Sequence, residues 1–242
     1  MFKNVVKYEL KRSFIPFATL YAIAIVFSLI ARMKWFTLTD MPLFYLVFFG
    51  ATAILLFRFW STMYGQEATF VFSIPLSAKK QVDMRLFCAF LFSVITTFII
   101  AVAILIQGEA MAILLSELHL MSAVLLFVEI SVSLFYLVLQ LETVLTLSNL
   151  PFCREKRKLW IVIWVVVFFG VTSALSAFTE PFLEQYIVIE QNGAISFSTT
   201  SAIPLSFAFS LNTTLWMIII SPVCIWLIGY ITEKYLQIAY NN

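Results

Sequence analysis

Glu129 stands in the middle of an apolar run that covers residues 120–141, the place where a carboxylate is hardest to keep. Inside a bilayer a charged carboxylate costs several kcal/mol unless it is paired, hydrated or protonated. It has polar company: Ser122, Glu129, Ser133, Tyr136 and Gln140 follow at steps of seven, four, three and four residues, which is one face of a helix. Lipid would reject that face, so it must look at another helix or at a water-filled path. Two chemistries fit it: a translocation surface whose charge responds to a transport cycle, or a hydrogen-bonded seam between helices or subunits. An ion-coupled secondary transporter would use Glu129 as its proton site.

Other catalytic chemistry is hard to find. His119 is the only histidine and lies at the edge of the same run, which argues against a serine–histidine pair or paired metal ligands of an intramembrane, rhomboid-like protease. Cys88, Cys153 and Cys224 are scattered singly, with no CxxC, so neither a metal knuckle nor a redox motif is written. None of the six glycines belongs to a Gly-x-x-x-x-Gly-Lys-Ser/Thr loop. The chain reads as a non-enzyme, with no catalytic, cofactor-binding or metal-binding residues of its own and no nucleic-acid partner.

The elements that must hold these residues follow from composition. Of 242 residues 62% are hydrophobic and 12% charged, against roughly 25% charged in a soluble domain, and the mean hydropathy is +1.01. Lipid is therefore the solvent. Crossing its core takes ~20 apolar residues, and such stretches occur at about 14–31, 42–60, 86–106, 120–141, 159–178 and 211–231. Their apolar runs are too continuous for the alternation of a membrane barrel, so the fold class is an all-α integral membrane protein, one transmembrane domain over 1–242 with six spans. With the termini placed in the cytoplasm, thirteen of the fifteen basic residues fall at that face and only Arg32 and Lys34 lie outside. A multi-pass protein of the cell membrane, bacterial in type, with both termini inside is the expectation. The first run is not a secretory signal, because its basic lead is long, Pro16 interrupts its start and Ala31-Arg32-Met33 offers no small-residue cleavage pattern.

Four segments are not spans. Residues 1–13 place Phe2, Val6 and Leu10 on one helical face and Lys3, Lys7 and Lys11 in a parallel row, which predicts an interfacial amphipathic helix on the inner leaflet. Residues 61–87 leave Phe70, Val71, Phe72, Ile74 and Leu76 on the cytoplasmic side, and apolar residues there need a protein partner or the membrane surface. Pro75 should end a short helix in this loop and Ser77 cap the next one. The linker 148–158 gathers four basic residues in five positions, a stop-transfer anchor or a third contact. In the external segment 179–210, Tyr186 to Glu190 and Ala194 to Ser198 flank Gln191-Asn192-Gly193, a strong hairpin signal.

The loop carries a resemblance. An acidic residue, a short aromatic and aliphatic helix, a Pro-Leu-Ser step and two lysines before a new span (Gln66-Glu67-Ala68-Thr69, Ile74-Pro75-Leu76-Ser77, Lys79-Lys80) resemble the cytoplasmic loop of type-2 ABC exporter permeases. At the level of topology the resemblance covers the whole chain; about twenty residues of it are motif-like. It implies that the segment from Tyr64 to Ile74 is a coupling helix, with Tyr64, Glu67, Phe70, Phe72, Ile74 and Pro75 docking on a separate cytoplasmic ABC ATPase subunit. ATP and magnesium would bind that partner. It further implies a dimer with a second permease copy or a paralogue. Small permeases of this build are similar to those of Gram-positive bacteria that expel amphipathic or hydrophobic peptides such as phenol-soluble modulins. In that family short helices dipping back into the outer leaflet precede the last span, a role for which residues 202–209 are apolar enough, and the expected hairpin departs from that pattern.

Overall fold

The computed structural model describes residues 2–33, 40–65, 67–68, 77–107, 120–153, 155–180, 186–190, 195–198 and 206–236. Six long helices dominate: α1 (Phe2–Arg32), α2 (Asp40–Met63), α3 (Ala78–Gln107), α4 (Leu120–Ser148), α5 (Arg157–Thr179) and α6 (Leu211–Ile231). Each is long and apolar enough to cross a bilayer, which makes this a multi-pass membrane protein.

The helices alternate in direction. Ala24 of α1, Val47 of α2 and Ile100 of α3 share one buried cluster, and Phe17, Leu55 and Phe92 share the next. From the first cluster to the second the positions fall along α1 and α3 while they rise along α2. A third cluster joins Met63, Val82, Leu139 and Ile228 of α2, α3, α4 and α6. One face of the bundle, here the basal face, therefore carries the start of α1 and the end of α6, together with the α2–α3 and α4–α5 connections. The opposite face carries the α5–α6 connection and a small sheet. The basic residues whose side chains are described, Arg32 excepted, all lie in the half of the bundle nearer the basal face.

α1 corrects one expectation. The first thirteen residues do not form a separate interfacial helix; α1 runs from Phe2 through Pro16 to Arg32. Proline removes one backbone donor, a loss that membrane helices tolerate when neighbouring helices support the turn. The support is visible: Ser13 and Phe17 are buried, and the Phe17 ring stacks on Phe92 of α3 at 4.1 Å. The Tyr21 and Thr96 hydroxyls meet at 2.8 Å. Gly50 of α2 faces Leu20 of α1, and a Cβ there would stand 2.8 Å from its methyl group, so the Leu20 side chain packs over the glycine. Buried hydroxyls in the apolar interior satisfy themselves: Ser28, Ser93, Thr97, Thr143 and Thr146 each donate to the carbonyl four residues earlier.

The sheet has three antiparallel strands in the order β2-β1-β3: β1 (Tyr186–Glu190), β2 (Ile195–Ser198) and β3 (Ser206–Ser210). The expected hairpin forms, with Tyr186 opposite Ser198 and Ile189 opposite Ile195. Over residues 206–210, part of the stretch that the family pattern would make helical, the chain is instead a strand paired with the free edge of β1. Phe207 and Phe209 alternate with smaller residues, the period of a strand. Ser210 then caps α6 through the Thr213 N–H. On α3 the predicted cap is present too, with Ser77 Oγ accepting from the Lys80 N–H at 3.4 Å.

Candidate functional site: a basal charge knot and a polar helix seam

α2 ends in a tight return. The N–H groups of Tyr64 and Gly65 both bond the Trp60 carbonyl, and a Cβ on Gly65 would lie 2.9 Å from the Ser61 carbonyl oxygen. This return aims Glu67 back at the bundle. Its Oε1 accepts from Arg12 at 2.7 Å, from Ser61 at 2.8 Å and from Arg58 at 3.5 Å. Arg58 also holds Glu9 of α1 at 3.1 Å. One buried guanidinium thus ties α1, α2 and the start of the loop together, which a planar fork does and a lysine would not. Tyr64 supplies a second tie: its hydroxyl donates to Thr146 Oγ1 of α4 at 2.9 Å. Enclosure of that hydroxyl pushes its pKa above the ordinary tyrosine range, so it remains a neutral donor.

Behind the knot lies a cavity of about 20 Å³ lined by Glu9, Ser13, Arg58, Arg85, Cys88 and Glu142, room for about one water. Arg58, Arg85 and Glu142 stand toward the basal ends of their helices, and all three are buried within the bundle. Arg85 reaches Met63 Sδ and the Gln81 carbonyl, while one Glu142 oxygen has no hydrogen-bond partner among the described residues. Glu9 is the member of this group that sequence reasoning does not single out, and it gives Arg12, Arg58, Arg85 and Glu142 only a place near one membrane face, since spacing does not say which helices meet there.

Of the residues assigned by resemblance to ATPase coupling, Tyr64 and Glu67 are fixed to the chain's own helices. Phe70, Phe72, Ile74 and Pro75 lie outside the described residues. The polar face of α4 is resolved more fully. Glu129 Oε1 accepts from Thr214 of α6 at 3.3 Å, and Ser133 meets Met217 Sδ at 3.7 Å. Gln140 is buried. These residues with Tyr136 form a seam along α4 that meets α6; Ser122 lies on the same helix, its side chain outside those described.

A third polar group closes the opposite face. Asn212 of α6 donates to the Ser176 carbonyl at 2.8 Å and accepts from Thr179 at 2.7 Å, and Trp216 donates to Thr179 Oγ1 at 2.9 Å. Asn212 is buried. With both ends of its side chain used, it clamps α5 to α6 directly beneath the sheet.

The chain matches no family model, no curated protein and no solved structure.

Proposed function

We propose that this chain is the membrane permease subunit of an ATP-driven exporter of the type-2 ABC kind, with ATP hydrolysed by a separate cytoplasmic subunit and a second permease copy or paralogue beside it. The observation that carries the reading is the root of the α2–α3 loop. Tyr64 is tied to α4 and Glu67 to α1 and α2, so a pull on the apolar segment that follows would reach three helices at once. A loop that only connects two spans has no need of such anchorage, whereas a loop that receives force from a partner does. The sequence supports the same reading: the loop is apolar on the basic face, and no nucleotide cradle occurs in the chain. An aromatic, weakly charged interior suits amphipathic or hydrophobic peptides as cargo.

Glu67 takes a different role from the one the resemblance implies. It serves as an internal anchor, and the docking contact falls to Phe70, Phe72 and Ile74. Tagged chain isolated from its native membranes should bring down a nucleotide-binding protein, and Phe70→Ala should release that protein while the permease remains folded. Isolation as a lone, ATP-indifferent protein would sink the proposal. The second reading, an ion-coupled transporter using Glu129, rests on a half-buried carboxylate inside a span. It predicts proton-driven transport by the purified chain alone in vesicles, abolished by Glu129→Gln.

A further inference from the structure

Four helices send a polar side chain to one small space behind the basal knot. Glu9 and Ser13 stand one turn apart on α1, Arg85 and Cys88 share a face of α3, and Arg58 of α2 and Glu142 of α4 complete the polar wall. The cavity measures about 20 Å³, above the ~10–15 Å³ that one buried water requires and far below the size of an organic ligand site. The protein alone does not satisfy this wall. Glu142 is 2% exposed, and one of its carboxylate oxygens has no hydrogen-bond partner among the described residues. Arg85 spends Nη1 on Met63 Sδ and the Gln81 carbonyl, and Arg58 gives its two terminal nitrogens to Glu67 and Glu9, while the Nε of each has no partner among the described residues. Unpartnered polar atoms at such depth are costly, and charged ones more so.

We propose that this cavity binds one water molecule, which donates to the Glu142 carboxylate and bridges it to Ser13 of α1 and Arg85 of α3. The charges in the wall select the occupant. Arg58 and Arg85 balance Glu9 and Glu142 in formal charge. A metal cation would therefore meet two guanidiniums and a halide two carboxylates, and like charges repel strongly where the dielectric is low. A neutral molecule that both donates and accepts meets neither objection, and water is the one that fits the volume. The salt bridges of the knot join α1, α2 and the start of the loop but do not reach α4. The water carries the network across to Glu142 and so ties α3 and α4 into it. A bridge of this kind is nearly as favourable as a direct hydrogen bond.

The test is radiolytic hydroxyl-radical labelling of the full chain in detergent, because an X-ray pulse makes radicals from bound water in place and the cysteines offer matched reporters. Cys88, Cys153 and Cys224 are all buried, and of the three only Cys88 lines the cavity. Cys88 should be oxidised several-fold faster than Cys153 and Cys224. Ser13→Val puts methyl groups where the water sits and should bring Cys88 to the rate of the other two, whose unchanged rates report an intact fold. Ala89→Val fills the same cavity from α3 and keeps the proposal testable should the Ser13 variant fold poorly. Thermal unfolding supplies an independent sign: filling a dry void raises stability, whereas displacing a water that satisfies buried charges lowers it. Equal oxidation of the three cysteines in the unaltered chain would overturn the proposal. So would fast Cys88 oxidation that survives both filling variants, or a rise in the unfolding midpoint with either.

Discussion

At the scale of single residues, Arg58 matters most. It is 8% exposed and holds two carboxylates from different segments. Removing one partner of a buried pair strands the other charge, which costs about 3–5 kcal/mol, so Arg58→Ala should lower thermal stability in detergent by a large margin. Arg12, whose side chain is 43% exposed, should behave differently: Arg12→Ala is expected to cost at most about 1 kcal/mol, because water screens an exposed pair. A double-mutant cycle with Glu67→Gln would measure both couplings. Glu129 makes a contrasting case. Its carboxylate accepts from Thr214, and the amide oxygen of Gln can accept the same bond, so in the seam reading Glu129→Gln should leave stability within about 1 kcal/mol and transport unchanged at equal expression. Normal stability with lost transport would instead make this face part of the path.

At the scale of elements, the structure ties helix ends by side chains. Asn212 holds the last turn of α5 to the first turn of α6, and Asn212→Leu would remove both ties; the Ser176 carbonyl keeps the Glu180 N–H and the Thr179 hydroxyl keeps Leu175 and Trp216, so the cost should be about 1 kcal/mol. Thermal unfolding in detergent checks it, and faster proteolysis of the sheet than of the basal linker should accompany the loss. The root of the α2–α3 loop is the counterpart on the basal face. Tyr64→Phe removes the bond to Thr146 and should cost about 1 kcal/mol. If the chain is an exporter subunit as proposed, the sharper readout is a weakened response of ATP hydrolysis to cargo. The same scale explains what the sequence did and did not reveal. The β1–β2 hairpin was legible because an Asn-Gly turn acts over a few residues. The third strand carried the same two-residue alternation at Phe207 and Phe209, but its partner is sixteen or more positions away and no local turn points to it. The continuity of α1 through Pro16 was hidden for the opposite reason: local chemistry argues for a break, and packing against α2 and α3 overrides it.

At the scale of the whole molecule, charge placement predicts orientation. If the basal face is cytoplasmic, Ser77→Cys should be shielded from a membrane-impermeant maleimide in intact cells and Ser198→Cys should be labelled. Cys88, Cys153 and Cys224 are all buried, so background labelling should be low. The reverse pattern would invert the protein in its membrane and remove the basis for a cytoplasmic partner.

By itself the sequence determined the solvent, the number of spans and the sorting of basic residues to one end of the helices. These depend on runs of ~20 residues and on composition, which do not require knowing which helices touch. The polar face of α4 was legible for the same reason, since helical periodicity alone aligns Glu129, Ser133, Tyr136 and Gln140. What that face meets was decided only by tertiary structure, which sets it against Thr214 and Met217 of α6. The basal knot belongs wholly to that second class. Glu9, Arg58 and Glu67 are separated by up to 58 positions, and each alone reads as an ordinary charge near a membrane surface. Their pairing is a property of how α1, α2 and the loop converge, because a buried charge is stable only where the fold brings its partner to it.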